Sequence, residues 1–177
     1  MSRRVRGWVW AFGLLTATLA HAGITSDRLL TAIVKETPDI TVVAAGSEML
    51  RAEAAAAKIP GALVLRGLGQ SMAPLFAERT ALVIAPVSYQ ALCKGMTVVY
   101  TNSHGRRVAH ALKGDLPHAW IAQGVGNDTE DEDLVTAANL VGVVVGAYAD
   151  APSEFRAALT RDLAAKGRLI VVANTRR

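Results

Sequence analysis

The chain has 177 residues, with 19 Lys and Arg against 15 Asp and Glu, a net charge of +4 and 51% hydrophobic residues. That length suits one domain with a real core and leaves no room for two comfortable ones. The lone Cys93 excludes an intramolecular disulfide and a thiolate metal cluster.

Met1 to Arg6 carries three arginines and no acid; an apolar run from Gly7 to Ala20 follows, and Ala20-His21-Ala22 precedes Gly23. This is the three-part pattern of a cleaved export signal over residues 1–22. The apolar run falls short of the roughly 20 residues that span a bilayer, so an uncleaved membrane anchor is the second reading. Without Arg3, Arg4 and Arg6, 16 basic residues face 15 acidic ones. A nearly neutral mature domain with scattered cations does not predict a nucleic-acid partner. The adjacent pairs Arg106-Arg107 and Arg176-Arg177 read as solvated positions.

Residues 23–61 form an extension of unassigned role. Ser26 and Asp27 open a helix with Leu29, Leu30, Ile33 and Val34 on one face, ended before Pro38. Ile40 to Ala44 reads as a short strand, and Ser47 to Lys58 as an alanine-rich helix stopped by Pro60-Gly61. Between 62 and 148 short apolar or β-branched runs dominate: Ala62–Leu65, Ala81–Ala85, Met96–Thr101, Arg107–Leu112, Ala119–Gln123 and the longer Asn139–Tyr148. With Asn102-Ser103-His104-Gly105 as a hairpin turn, this spacing predicts a mainly β, α+β fold built on an antiparallel barrel-like sheet. In 149–177, Ser153 caps a helix carrying Phe155, Leu159 and Leu163 and ending at Lys166-Gly167, and Leu169–Ala173 is a final strand.

Two segments carry candidate chemistry. Gly69-Gln70-Ser71-Met72-Ala73-Pro74 sets a serine between glycine and proline, and Val108-Ala109-His110 puts a histidine on a strand. A serine hydroxyl becomes a nucleophile only when a neighbour takes its proton, and an imidazole titrates in the range that suits the task.

Gly-x-Ser-Met-x-Pro resembles the nucleophile box of the signal peptidase I and LexA-like serine peptidase superfamily. The stretch from Leu92 through Lys94-Gly95-Met96 to Tyr100 is similar to the strand that follows in that family. Val108-Ala109-His110-Ala111-Leu112 is similar to the Val-His-Arg-Val strand of the branches that use histidine as base. Gln123-Gly124-Val125-Gly126-Asn127, Asp131, Val135-Thr136 and Asn139 to Val143 follow the family ending in order. The resemblance spans about Ala62 to Val145. It implies a coiled β barrel with flanking helices and a Ser–His peptidase without cofactor or metal. Ser71 is then the nucleophile, His110 the general base, and Asp131 the residue that orients His110, with Asp128 as its rival. It also implies a protein or peptide substrate laid extended against a strand edge, and a periplasmic or secreted enzyme, or one held to a membrane by its N-terminus.

Three positions depart from the family pattern. Met96 and Val125 stand where aspartates are usual, and Ala111 follows the histidine where arginine is usual. These departures support the alternative of a degenerate, peptide-binding or assembly module on the same fold. A LexA-like repressor is disfavoured by the leader and by the lack of a recognisable helix-turn-helix.

Other reactive side chains have plainer readings. Lys113, a rival base, faces away from His110 on a regular strand. Lys58 and Lys94 lie outside any matching motif, and Cys93 reads as a small apolar side chain. His104 belongs to a turn and His118 to a loop edge, without the spacing of metal ligands. Most of the acidic run from Asp128 to Asp133 is expected to be solvated, and Trp120 to pack in the core.

Overall fold

The computed structural model describes residues 26–169. The leader and the strand expected at Leu169–Ala173 therefore lie outside the described residues, wholly or almost so. Among the described residues, three α-helices and seven strands follow in the order α1 (Asp27–Glu36), β1 (Ile40–Val42), α2 (Glu48–Ala56), β2 (Leu63–Arg66), β3 (Ala81–Ala85), β4 (Thr97–Thr101), β5 (Arg107–Leu116), β6 (Ala119–Gln123), β7 (Leu140–Ala149) and α3 (Glu154–Ala165), with a single 3-10 turn, Tyr89–Ala91, between β3 and β4. The strands make one curled sheet, a half-barrel in the order β2-β3-β7-β4-β5-β6, with the three helices at its flanks.

The ten-residue β7 organises this sheet. β3 runs antiparallel along one of its edges. The other edge is shared, with β4 on Leu140–Val143 and β1, parallel, on Ala147–Ala149. The extension of unassigned role thus supplies a strand of the same sheet. It also supplies α2, whose Ala52 and Ala56 pack with Ala81 and Val83.

Alternation divides the buried side chains into two main groups. One face gathers Met72, Leu75, Phe76, Leu82, Val99 and Val125 with Leu29 and Ile33 of α1. The other gathers Leu92, Val98, Tyr100, Leu112, Ala122 and Val135, against which Trp120 rests as expected. At roughly 25 cal/mol per Å² of apolar surface, burial of this kind is the main force closing the sheet.

Helix ends fall near the expected places, with one difference in how they are held. Ser153 Oγ does cap α3, accepting the Arg156 N–H at 3.1 Å. Ser26 and Ser47 make no such side-chain cap; Ser47 Oγ instead donates to the Ala44 carbonyl. The stripe expected on α3 buries Leu163, but its deepest polar contact comes from Arg156, 8% exposed. Its Nη2 donates to the carbonyls of Val34 and Thr37 at 2.5 and 2.7 Å, and Nε pairs with Asp39. α3 is therefore clamped to the end of α1. Ser153 Oγ also donates to the Pro74 carbonyl at 3.0 Å, joining α3 to the loop that carries Ser71.

Candidate active site

Ser71 lies on the 67–80 loop between β2 and β3, in a series of hydrogen-bonded turns rather than a regular helix. Three apolar side chains of that loop, Met72, Leu75 and Phe76, are buried, which fixes a segment that would otherwise be free to move. Its backbone is also held from the side. Gly126 N–H donates to the Ser71 carbonyl at 2.9 Å. A Cβ at Gly124 would stand 2.5 Å from that same carbonyl oxygen, and one at Gly126 would stand 2.6 Å from the Ala73 carbonyl oxygen. Both contacts are far inside van der Waals distance, so only glycine lets these two loops touch.

His110 comes from β5 and is 7% exposed. It stands opposite Val98 of β4, while Tyr100 stands opposite Val108. Tyr100 and His110 are therefore diagonal neighbours on one face of the sheet. Asp131 reaches the same face from the segment after β6. That segment folds back along β6, with Asp131 N–H donating to the Ala122 carbonyl and Trp120 and Val135 exchanging backbone hydrogen bonds.

These placements bring the three expected residues into contact. His110 Nε2 is 2.8 Å from Ser71 Oγ, and Nδ1 is 2.5 Å from Asp131 Oδ2. Tyr100 hydroxyl donates to the same Oδ2 at 2.7 Å. An ionised carboxylate only accepts, so Nδ1 carries the imidazole proton and Nε2 is left to accept the serine O–H. Burial, then the hydrogen bond to Asp131, pushes the Tyr100 hydroxyl well above its ordinary value, so it remains a donor. Among the described residues the Ser71 amide donates to no acceptor, which leaves it free for a ligand oxygen.

The rivals occupy other positions. Asp128 is exposed and is not among the partners of His110. Lys113 Nζ lies 2.9 Å from both Gln123 Oε1 and Glu130 Oε1, bracing the loop that bears Asp131. Val125 is 5% exposed and belongs to the first apolar group, so its side chain serves packing there. Ala111 is fully buried between strands, and Met96 rests against the second group. Cys93 is partly buried, and burial together with Glu36 pushes its thiol up, away from the reactive thiolate. His104 and His118 are exposed, and no metal-binding cluster of His, Cys, Asp and Glu occurs among the described residues.

Tyr100 is a site residue that the sequence pattern does not mark, since its strand reads as an apolar run. The signal was available only through register, since Tyr100 meets Asp131 by way of β4–β5 pairing.

A groove of about 410 Å³ opens onto Ser71 and His110. Leu65, Met72, Phe76, Leu82 and Ala109 form its apolar part. The end of β2 bounds one side and Arg107–His110 of β5 the other. β6 pairs with β5 only from Ala111 onward, so Arg107–His110 keep one edge without a strand partner among the described residues. A larger cavity of about 540 Å³, between the 74–80 segment and the start of α3, touches none of the three site residues. Compared with family models, curated proteins and solved structures, the chain matches none.

Proposed function

We propose that the chain is an exported serine endopeptidase of signal-peptidase-like, Ser–His type, which hydrolyses peptide bonds in extended protein segments. The observation that carries this reading is the unbroken line of hydrogen bonds from Ser71 Oγ through His110 to Asp131. On this reading Ser71 Oγ attacks the scissile carbonyl carbon while its proton passes to His110 Nε2. The imidazolium formed is stabilised by Asp131, whose position Tyr100 fixes. The free Ser71 N–H donates to the oxyanion that develops. His110 then gives the proton to the leaving amine as the C–N bond breaks, and water, activated in the same way, releases the acyl group from Ser71.

The substrate backbone would add to the unpaired edge of Arg107–His110, since strand addition uses main-chain bonds and leaves the side chains to select. Export rests on the leader pattern of residues 1–22; the mature chain would act in the periplasm or outside the cell, or on a membrane surface if the leader is retained.

Ser71→Ala decides the matter. Activity on an unfolded or extended protein substrate is expected to fall at least about 10³-fold with the melting temperature unchanged. A serine-reactive phosphonate should label the wild type and not the variant. Equal activity in both proteins would overturn the peptidase reading. Absence of labelling and of cleavage in the wild type would instead favour the peptide-binding module.

A further inference from the structure

The groove has a charge character that the catalytic reading does not use. Arg106 and Arg107 lie on its rim, and among the residues lining it there is no aspartate or glutamate. Both arginines are exposed, and among the described residues neither forms an ion pair. Some cations elsewhere are matched, Lys113 with Glu130, Lys166 with Asp162 and Arg156 with Asp39, whereas Arg106 and Arg107 face a groove whose lining offers no carboxylate. Asp133, which reaches the same turn, is taken up by Ser103 N–H and Oγ, both at 3.0 Å. Arg66, at the end of β2, is also exposed on the rim and adds to its positive charge.

Strand alternation places Arg107 on the same face of β5 as Ala109, which lines the apolar part of the groove. A peptide paired along this edge passes His110 and, about 10 Å further at roughly 3.3 Å per residue, comes level with Arg107.

We propose that Arg107, assisted by Arg106, selects substrates that carry an aspartate or glutamate about three residues from the scissile bond, with an apolar side chain between them entering the floor formed by Leu65, Met72, Phe76 and Leu82. The guanidinium matches a carboxylate in shape and charge, and a ligand acid supplies the partner that the groove withholds. An exposed pair contributes modestly, so the preference is one of a few-fold and is weakened by salt. This inference rests on the peptidase reading for the position of the scissile bond, but not for the occupancy of the groove.

Two measurements keep the two apart. Binding is read by fluorescence anisotropy on Ser71→Ala protein, using paired labelled peptides of extended, apolar sequence. One of each pair has Glu three residues to either side of the central bond, and its twin has Gln. The Glu peptide is expected to bind about fivefold tighter in low salt, with the difference lost in about 0.5 M salt. In the Ser71→Ala, Arg107→Glu protein the order should invert, the Gln twin binding tighter than the Glu peptide, while circular dichroism stays unchanged. Equal binding of the Glu and Gln peptides, or an unaltered preference after Arg107→Glu, would overturn the proposal. Cleavage of the same peptides by the wild-type chain tests the peptidase reading separately: cleavage without acid preference sinks only the inference, and acid preference without cleavage sinks only the enzyme.

Discussion

Two buried polar constellations hold this molecule, and they are built on different terms. At the site, Ser71, His110, Asp131 and Tyr100 join in a line in which each ring nitrogen of His110 has a partner, and Asp131 Oδ2 has two. At the seam of α1 and α3, Arg156 satisfies two carbonyls and one carboxylate, yet its Nη1 has no partner. Desolvation lowers the Arg156 pKa, and Asp39 opposes that shift only in part, its own side chain being 82% exposed. A fully satisfied network fixes one geometry, whereas a half-satisfied cation mainly ties two segments together. The first arrangement suits chemistry and the second suits attachment.

Disrupting one residue of each should therefore give opposite signatures. On the proposed peptidase reading, Asp131→Asn preserves shape but lets the amide favour the wrong imidazole tautomer, so kcat for peptide cleavage should fall about 10³- to 10⁴-fold with little change in melting temperature. A loss of less than tenfold would show that Asp131 does not orient His110. Arg156→Ala should do the reverse. It orphans the Val34 and Thr37 carbonyls and opens space against α1, costing about 2 kcal/mol, or roughly 4–8 °C in thermal denaturation. Under folding conditions its kcat should stay within about twofold of wild type. A large kcat loss would mean that the clamp reaches the Ser71 loop through Ser153 and Pro74.

The strands at Ala81–Ala85 and Ala119–Gln123 match their apolar runs residue for residue, because sheet burial and β-branched composition speak locally. β5 was legible only to Leu112; it continues through Lys113-Gly114-Asp115-Leu116 because β6 pairs with it, across an irregularity between Leu112 and Gly114. Pairing to a distant segment rescues a polar stretch that propensity alone would end. Ser71, His110 and Asp131 could be named from motif order, but their contact depends on β4–β5 register and on a loop folded back along β6. The parallel pairing of β1 with β7 and the Arg156 clamp were hidden for the same reason. Each joins residues more than 100 positions apart, and no local pattern announces such a partner.

Tyr100 offers the finest test of the contrast, because it belongs both to the second apolar group and to the hydrogen-bonded line. Tyr100→Phe removes one hydroxyl and leaves the ring packed. Asp131 Oδ2 keeps His110 as a partner, so kcat should drop about tenfold, corresponding to roughly 1.4 kcal/mol, with KM little changed. The stability effect has a definite sign with pH. The folded chain holds the Tyr100 proton above the ordinary value of 10, so the wild type keeps this contribution below about pH 10. As pH rises further the unfolded chain sheds a proton that the folded chain retains, and folding loses stability. The phenylalanine variant lacks that ionisable group, so the difference in denaturation midpoint between the two proteins should shrink between pH 10 and 11. A gap that widens over this range would mean that the hydroxyl ionises readily in the folded chain and does not hold Asp131.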